Sequence, residues 1–182
     1  MSHDPYVLPA DLPVPEDDGA ADHLEGMVVP RLELPTTDGN GIDLAEAAQR
    51  LLVVYVYPRT GPPDEDLPPG WDDIPGARGC TPQACSFRDH HADIAAHGAH
   101  VLGLSAQPLA EQLEMVERVG LPYRLASDPL LSAAEALGLP TFEAETVGTL
   151  YKRLTFIADA GRIVKVFYPV FPPDRNAGEV LE

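Results

Sequence analysis

The stretch "GARGCTPQACSFRDHH", residues 76–91, contains both cysteines of the 182-residue chain. Cys80 and Cys85 lie five apart, and His90 and His91 follow Cys85. Thr81-Pro82 is a helix-start signal, with Thr81 as the cap and Pro82 at the first helical position. The helix then runs over roughly 82–97, where Ala84, Phe87, His91 and Ile94 share one apolar face. A step of five residues turns a side chain about 140° around a helix axis. The two cysteines and two histidines therefore do not converge, and no further cysteine exists to complete a tetrahedral metal set. His91 reads as a packed core histidine, His90 as a solvated one, and the segment as holding no metal.

Two readings of the thiols remain: inert buried residues, or a redox pair. Cys80 lies at the helix N-terminus, where unpaired N–H groups and the helix dipole favour an anion, and Arg78 is close in sequence. Such a position makes a thiolate a competent nucleophile. A bond between Cys80 and Cys85 would require the first turn to unwind. That describes a pair bonded in one state of a cycle and apart in another.

Around this segment the chain reads as one α/β domain. "LLVVYVY", residues 51–57, is a continuous apolar and β-branched run, as in a strand buried on both faces, and Pro58 ends it. Before it, Leu32 and Leu34 alternate ahead of the turn residues Asp38-Gly39 and Asn40-Gly41, predicting a short hairpin. Asp43 then caps a short helix ending near Arg50. After the cysteine helix come strands at 100–106 and 123–128, alternating with helices at 108–120 and 129–138. "KRLTFIADAGRIVKVFYP", residues 152–169, predicts a hairpin turning at Asp159-Ala160-Gly161, and residues 174–182 a last helix. This pattern implies a mixed central sheet flanked by helices.

Two segments stand outside it. Residues 1–23 read as an extended acidic, proline-rich arm with Tyr6, Val7, Leu8 and Leu12 as small anchors; the domain occupies 24–182. Residues 61–75 carry five prolines, five acids and the only tryptophan, Trp71, and read as a long loop inserted within the domain.

Composition narrows the function classes. With 12 basic against 29 acidic residues the formal charge is −17, which repels phosphate backbones and anionic lipid. Nucleic acid and membrane are therefore not expected as partners. The first residues lack a basic region followed by an apolar run, so no signal peptide is read, and two cysteines do not make a disulfide framework. The expected location is the cytoplasm.

"GCTPQACSFRDHHADI" resembles the active-site segment of the peroxiredoxins, closest to the peroxiredoxin Q, or bacterioferritin comigratory protein, branch, with its pattern P-G-C-T-x-x-A-C-x-F-R-D. "LEGMVVPRLELPTTDGNGIDLAEA", "LLVVYVYP", "AHVLGLSAQ", "LPYRLASD" and "KRLTFIADAGRIVKVF" are similar to further segments of that family in the same order, so the resemblance covers roughly residues 24–170. The arm and the insertion mark a divergent subgroup.

The resemblance implies a thioredoxin fold and reduction of hydrogen peroxide or organic hydroperoxides without a cofactor, by a monomer or homodimer. Cys80 falls on the peroxidatic position and Cys85 on the resolving one, with an intramolecular disulfide recycled by thioredoxin or a similar dithiol. Arg153 matches the strand arginine that holds the thiolate and polarises the peroxide. Gln83 takes the place of the residue that orients this arginine, and Gly79 keeps backbone N–H groups open to a peroxide oxygen. The family's P-x-x-x-T-x-x-C pattern would put Thr at 77 and Pro at 73, where this chain has Ala77 and Asp73. Pro58 is the counterpart proline, displaced by the insertion. Thr60, two residues on, is expected to stand beside Cys80 in place of the absent threonine. The competing functions are a thiol–disulfide oxidoreductase acting on proteins, which normally uses C-x-x-C, and a non-enzymatic redox-sensing module working through the arm and insertion.

Overall fold

The computed structural model describes residues 4–182. β1 (Glu33–Leu34) and β2 (Ile42–Asp43) form the expected hairpin, with Leu34 opposite Ile42. The Asp43 carboxylate accepts from the Ala45 and Glu46 amides and caps α1 (Leu44–Ala47), which ends three residues before Arg50. β3 (Leu52–Val56) is buried at all five positions. α2 (Cys80–Asp89) and α3 (His91–Ala96) divide the single helix expected over 82–97. They separate at His90 (φ −96°, ψ 3°), whose ring Nδ1 lies 2.9 Å from the Ser86 carbonyl that also accepts the His90 amide. His90 is thus half-buried rather than solvated, and His91 is half-buried against Tyr123 rather than in the core.

β4 (His100–Ser105), α4 (Leu109–Val119), β5 (Arg124–Ser127) and α5 (Ser132–Leu137) follow as the pattern predicts, with Gly120 ending α4 in the left-handed region. β6 (Thr141–Ala144) and β7 (Gly148–Tyr151) are a hairpin that no sequence reading assigned. β8 (Leu154–Asp159) and β9 (Arg162–Phe167) turn at Ala160-Gly161, both at positive φ. A 3-10 turn, Pro173–Arg175, leads into α6 (Asn176–Leu181).

The main sheet has the order β5-β4-β3-β8-β9. β3, β4 and β5 run parallel, while β8 is antiparallel to both β3 and β9, so the sheet is mixed. Side chains alternate across a strand, and β3 therefore feeds two cores. Leu52, Val54 and Val56 join one with Leu104, Leu137 and Phe156. Val53, Tyr55 and Tyr57 join the other with Cys80, Ala84, Phe87, Met115 and Tyr123. Phe87 stacks on Tyr55 at 4.6 Å between ring centroids, which seats α2 on the sheet. Position 103 is glycine because a Cβ there would lie 2.8 Å from the Tyr55 ring.

Residues 4–23 of the arm lie on the domain surface, held at Pro5 and Ala21, which are buried, and at Leu8, which meets Gly79. Val7 is 57% exposed and is no anchor; Tyr6, 45% exposed, is held through Arg118, which donates to its hydroxyl and lies over its ring. The 61–75 insertion is more than a solvated loop. Trp71, in a 3-10 turn, is buried with Ala77, Ala144 and Leu150 in a third small core under the β6–β7 hairpin.

Burial pushes the phenols of Tyr55, Tyr57 and Tyr123 far above their usual value. A group whose folded pKa is raised contributes stability present below its unfolded value, about pH 10 for tyrosine, and lost above it. On alkaline titration, tyrosinate absorbance from these residues should appear together with loss of circular dichroism above about pH 10. Their full ionisation in a protein that keeps its ellipticity would contradict this packing.

Candidate active site

Cys80 is the first residue of α2. The residue before it, Gly79, has φ +103° and ends the turn that delivers the chain to the helix. The helix thus starts earlier than the sequence signal suggested. Thr81 is inside the first turn and not its cap, and among the described residues its hydroxyl makes no hydrogen bond. Pro82 has no N–H, and the Gln83 amide bonds the Gly79 carbonyl at 3.0 Å. The Cys80 and Thr81 amides are left as first-turn donors without an intrahelical acceptor.

Arg153 lies just before β8 and is 3% exposed. Its Nη2 donates to the Cys80 sulfur at 3.1 Å and to the carbonyls of Ala77 at 3.0 Å and Arg78 at 3.2 Å. Nε donates to the Gly76 carbonyl at 3.2 Å, and Nη1 to Gln83 Oε1. Among the described residues no carboxylate pairs with this guanidinium. Of its partners, only the Cys80 sulfur can carry a full negative charge. The structure therefore brings Cys80, Gln83 and Arg153 together.

The insertion supports this arrangement from behind. Trp71 packs on Ala77, and Asp72 accepts from Arg78 at 2.9 Å, so 76–78 is held with its carbonyls toward Arg153. Where Ala77 offers no hydroxyl, its carbonyl bonds the arginine. Between arm and insertion a cavity of about 460 Å³ opens beside Arg153, walled mainly by apolar side chains including Pro15, Ile74, Phe142 and Tyr168.

Thr60 does not take the place assigned to it. It is buried, with its amide 2.8 Å from Gln107 Oε1, its carbonyl accepting from Gln107 Nε2, and its hydroxyl directed to the same Oε1. No hydrogen bond joins it to Cys80. Pro58 is buried too, its carbonyl accepting from Ser105 at 3.0 Å, so the exit of β3 is tied to the end of β4. The reason for Gly79 also changes. A Cβ there would strike Pro173 and approach Leu8 to 2.8 Å, so the crowding comes from the C-terminal segment and the arm.

Cys85, half-buried one turn further along α2, is a free thiol, as is Cys80. Burial pushes the Cys85 thiol up, against the opposing charge of Arg88. Tyr123 donates to the Ala84 carbonyl at 2.9 Å and fixes the helix beside Cys85. Sequence reasoning overlooked Tyr123, Gln107 and Asn176, since no spacing or local motif links them to the cysteines. Among the described residues no three His, Cys, Asp or Glu side chains cluster as a metal site would require.

This sheet order and a cysteine-headed helix define a thioredoxin-fold thiol protein, and the Redoxin family model matches residues 24–181. The chloroplastic peroxiredoxin Q of Oryza sativa subsp. japonica is 32% identical over 159 residues, 87% of this chain and 65% of its own length. A Mycobacterium tuberculosis relative in the peroxiredoxin family is 34% identical over 149 residues, covering 80% of this chain and 85% of its own. Among solved structures, the peroxidoxin BcpB of Mycobacterium tuberculosis superposes with TM-score 0.68 at 27% identity, over 87% of this chain and 95% of that one. Peroxiredoxin Q of Xanthomonas campestris, 22% identical over 87% of this chain and 93% of that one, shares the fold with TM-score 0.68. The chain belongs to the redoxin family, as a peroxiredoxin Q-like member. It spans 65% of the length of the Oryza sativa relative.

Substituting Gly79→Ala should destabilise the fold by about 2 kcal/mol or more, since it adds a clash to a left-handed backbone. Gly98 has φ +77° with open space around it, so Gly98→Ala should cost only about 1 kcal/mol. Urea unfolding of the two variants checks the order; equal losses would remove the steric role of Pro173 and Leu8.

Proposed function

We propose that this chain is a thiol-dependent peroxidase in which Cys80 is the peroxidatic and Cys85 the resolving cysteine. The observation that carries the reading is Arg153 Nη2 at 3.1 Å from the Cys80 sulfur at a helix N-terminus. The Cys80 thiolate attacks one peroxide oxygen and the O–O bond breaks. Cysteine sulfenic acid forms, and the leaving oxygen takes up a proton as water or alcohol. Arg153 and the open amides of Cys80 and Thr81 can stabilise charge on the two oxygens. Gln83 keeps Arg153 aimed at the sulfur.

The Cys85 thiol then condenses with the sulfenic acid, releasing water and forming a disulfide. In the packed helix Cys85 is partly covered and its ionisation is disfavoured, so α2 must open before it can react. A thioredoxin-type dithiol returns both cysteines to thiols by exchange. The likeness to peroxiredoxin Q supports including organic hydroperoxides with hydrogen peroxide as substrates. Among the described residues no helix is long and apolar enough to cross a membrane. The cytoplasm is our assignment, although the plant relatives are named chloroplastic.

Cys80→Ser should abolish peroxide consumption in a thioredoxin-coupled assay. Cys85→Ser should still gain one oxygen atom by mass spectrometry after one equivalent of peroxide, yet fail to form the disulfide. Equal oxygen uptake by the two variants after one equivalent of peroxide would overturn the assignment, and insulin reduction without peroxide consumption would favour the oxidoreductase reading.

Forming the disulfide should also cost helix. On oxidation, amide exchange across residues 80–88 should accelerate and helical ellipticity fall, because the Cys80–Cys85 bond cannot form across an intact first turn. Tyr123→Phe removes the hydrogen bond to Ala84 and should speed disulfide formation about five-fold. Unchanged exchange over that segment would exclude the opening step.

A further inference from the structure

Asn176, the first residue of α6, is fully buried. Its Oδ1 accepts from the Thr155 hydroxyl at 2.6 Å and from Gln83 Nε2 at 3.0 Å. Its own Nδ2 has no partner among the described residues. Gln83 in turn accepts from Arg153, and Arg153 donates to the Cys80 sulfur. The connections close into a ring, since Thr155 on β8 is two residues after Arg153, which lies just before that strand.

Direction is forced along this chain. A guanidinium has only donors, so Gln83 must turn its oxygen toward Arg153 and its NH₂ away. That NH₂ lies in a dry interior and needs an acceptor. Asn176 supplies one by turning its own oxygen inward. Were the Asn176 amide reversed, two NH₂ groups would face each other, and Gln83 would be free to turn a donor toward the arginine. The unpartnered Asn176 Nδ2 is the cost of this arrangement, left at the end furthest from the sulfur.

We propose that Asn176 is a positioning residue for the Cys80 chemistry. It sets the orientation of the Gln83 amide and, through it, holds the Arg153 guanidinium against the sulfur. A residue close to the end of the sequence thereby takes part in the site through α6. The proposal rests on reading Cys80 as the reactive thiol, but its test does not depend on peroxide turnover.

The experiment is alkylation of Cys80 by iodoacetamide as a function of pH, with Cys85→Ser as the parent so that one thiol reports. Asn176→Leu, alike in branching but without polar atoms, should slow alkylation about five-fold at neutral pH, as loss of one buried hydrogen bond implies, and move the profile to higher pH. When the parent also carries Gln83→Glu, the same Asn176→Leu change should have no further effect. A carboxylate presents an oxygen to Arg153 whichever way it turns, so it needs no orienting partner. Thr155→Val should give a smaller fall, about two-fold. Asn176→Leu alkylating at the parent rate with native circular dichroism overturns the proposal. So does an equal slowing with and without the Gln83→Glu substitution, which would mark a merely structural residue. Should Asn176→Leu fail to fold, Thr155→Val decides, and its alkylation at the parent rate is the contrary result. Asn176-dependent alkylation in a chain that consumes no peroxide would support this inference while overturning the peroxidase reading.

Discussion

A guanidinium buried with no carboxylate partner among the described residues is the constraint around which the site is organised. Arg153 is 3% exposed, and removing a full charge from water costs several kcal/mol unless its surroundings replace the lost hydration. Here the replacement is a set of oxygens from three successive carbonyls and one amide, together with the thiol sulfur. Carbonyl dipoles satisfy the donors without cancelling the charge. The charge is therefore available to whatever sits at the sulfur, which is the condition that peroxide chemistry requires.

The 61–75 loop and the N-terminal segment both bear on how those oxygens are supplied. Three consecutive carbonyls face one side chain only if residues 76–78 turn tightly, and this chain turns them with positive φ at Gly76 and Gly79. The insertion holds that turn through Trp71 beneath Ala77 and Asp72 on Arg78. The arm closes over the other side, with Leu8 on Gly79 and Pro15 on Gly76. Segments that look like additions to a family core are thus packed against the residues beside Cys80.

The cysteine helix meets opposing demands. It must be rigid enough to hold Cys80 against Arg153, and Phe87 on Tyr55, Tyr123 on Ala84 and the C-terminal segment on Gly79 provide that. It must also open if Cys85 is to reach Cys80. The helix is only ten residues long and breaks at His90, and short helices depend on tertiary contacts more than on their own propensity. A few contacts on α2 therefore hold the closed helix and would have to give way for the disulfide we propose.

Local chemistry was legible in the sequence. The buried run at 51–57, the turn at 159–161, the capping aspartate at 43 and a cysteine at a helix start each follow from a handful of neighbouring residues. Strand period, φ preference and cap geometry are properties of a short segment. Gln83 and Arg153 could be named because the resemblance placed them, with no spacing rule that joins residues 70 apart in sequence. Thr60 shows the limit. Its position after Pro58 suggested the thiol pocket, but its hydroxyl faces Gln107, 47 residues away. Asn176, 93 residues from Gln83, and Trp71 beneath Ala77 carried no sequence signal at all. Which polar groups meet in a dry interior depends on how strands and helices stack across the sheet. A side chain's hydrogen-bond capacity is written in its own residue type, whereas the partner that fulfils it is chosen only when the layers close.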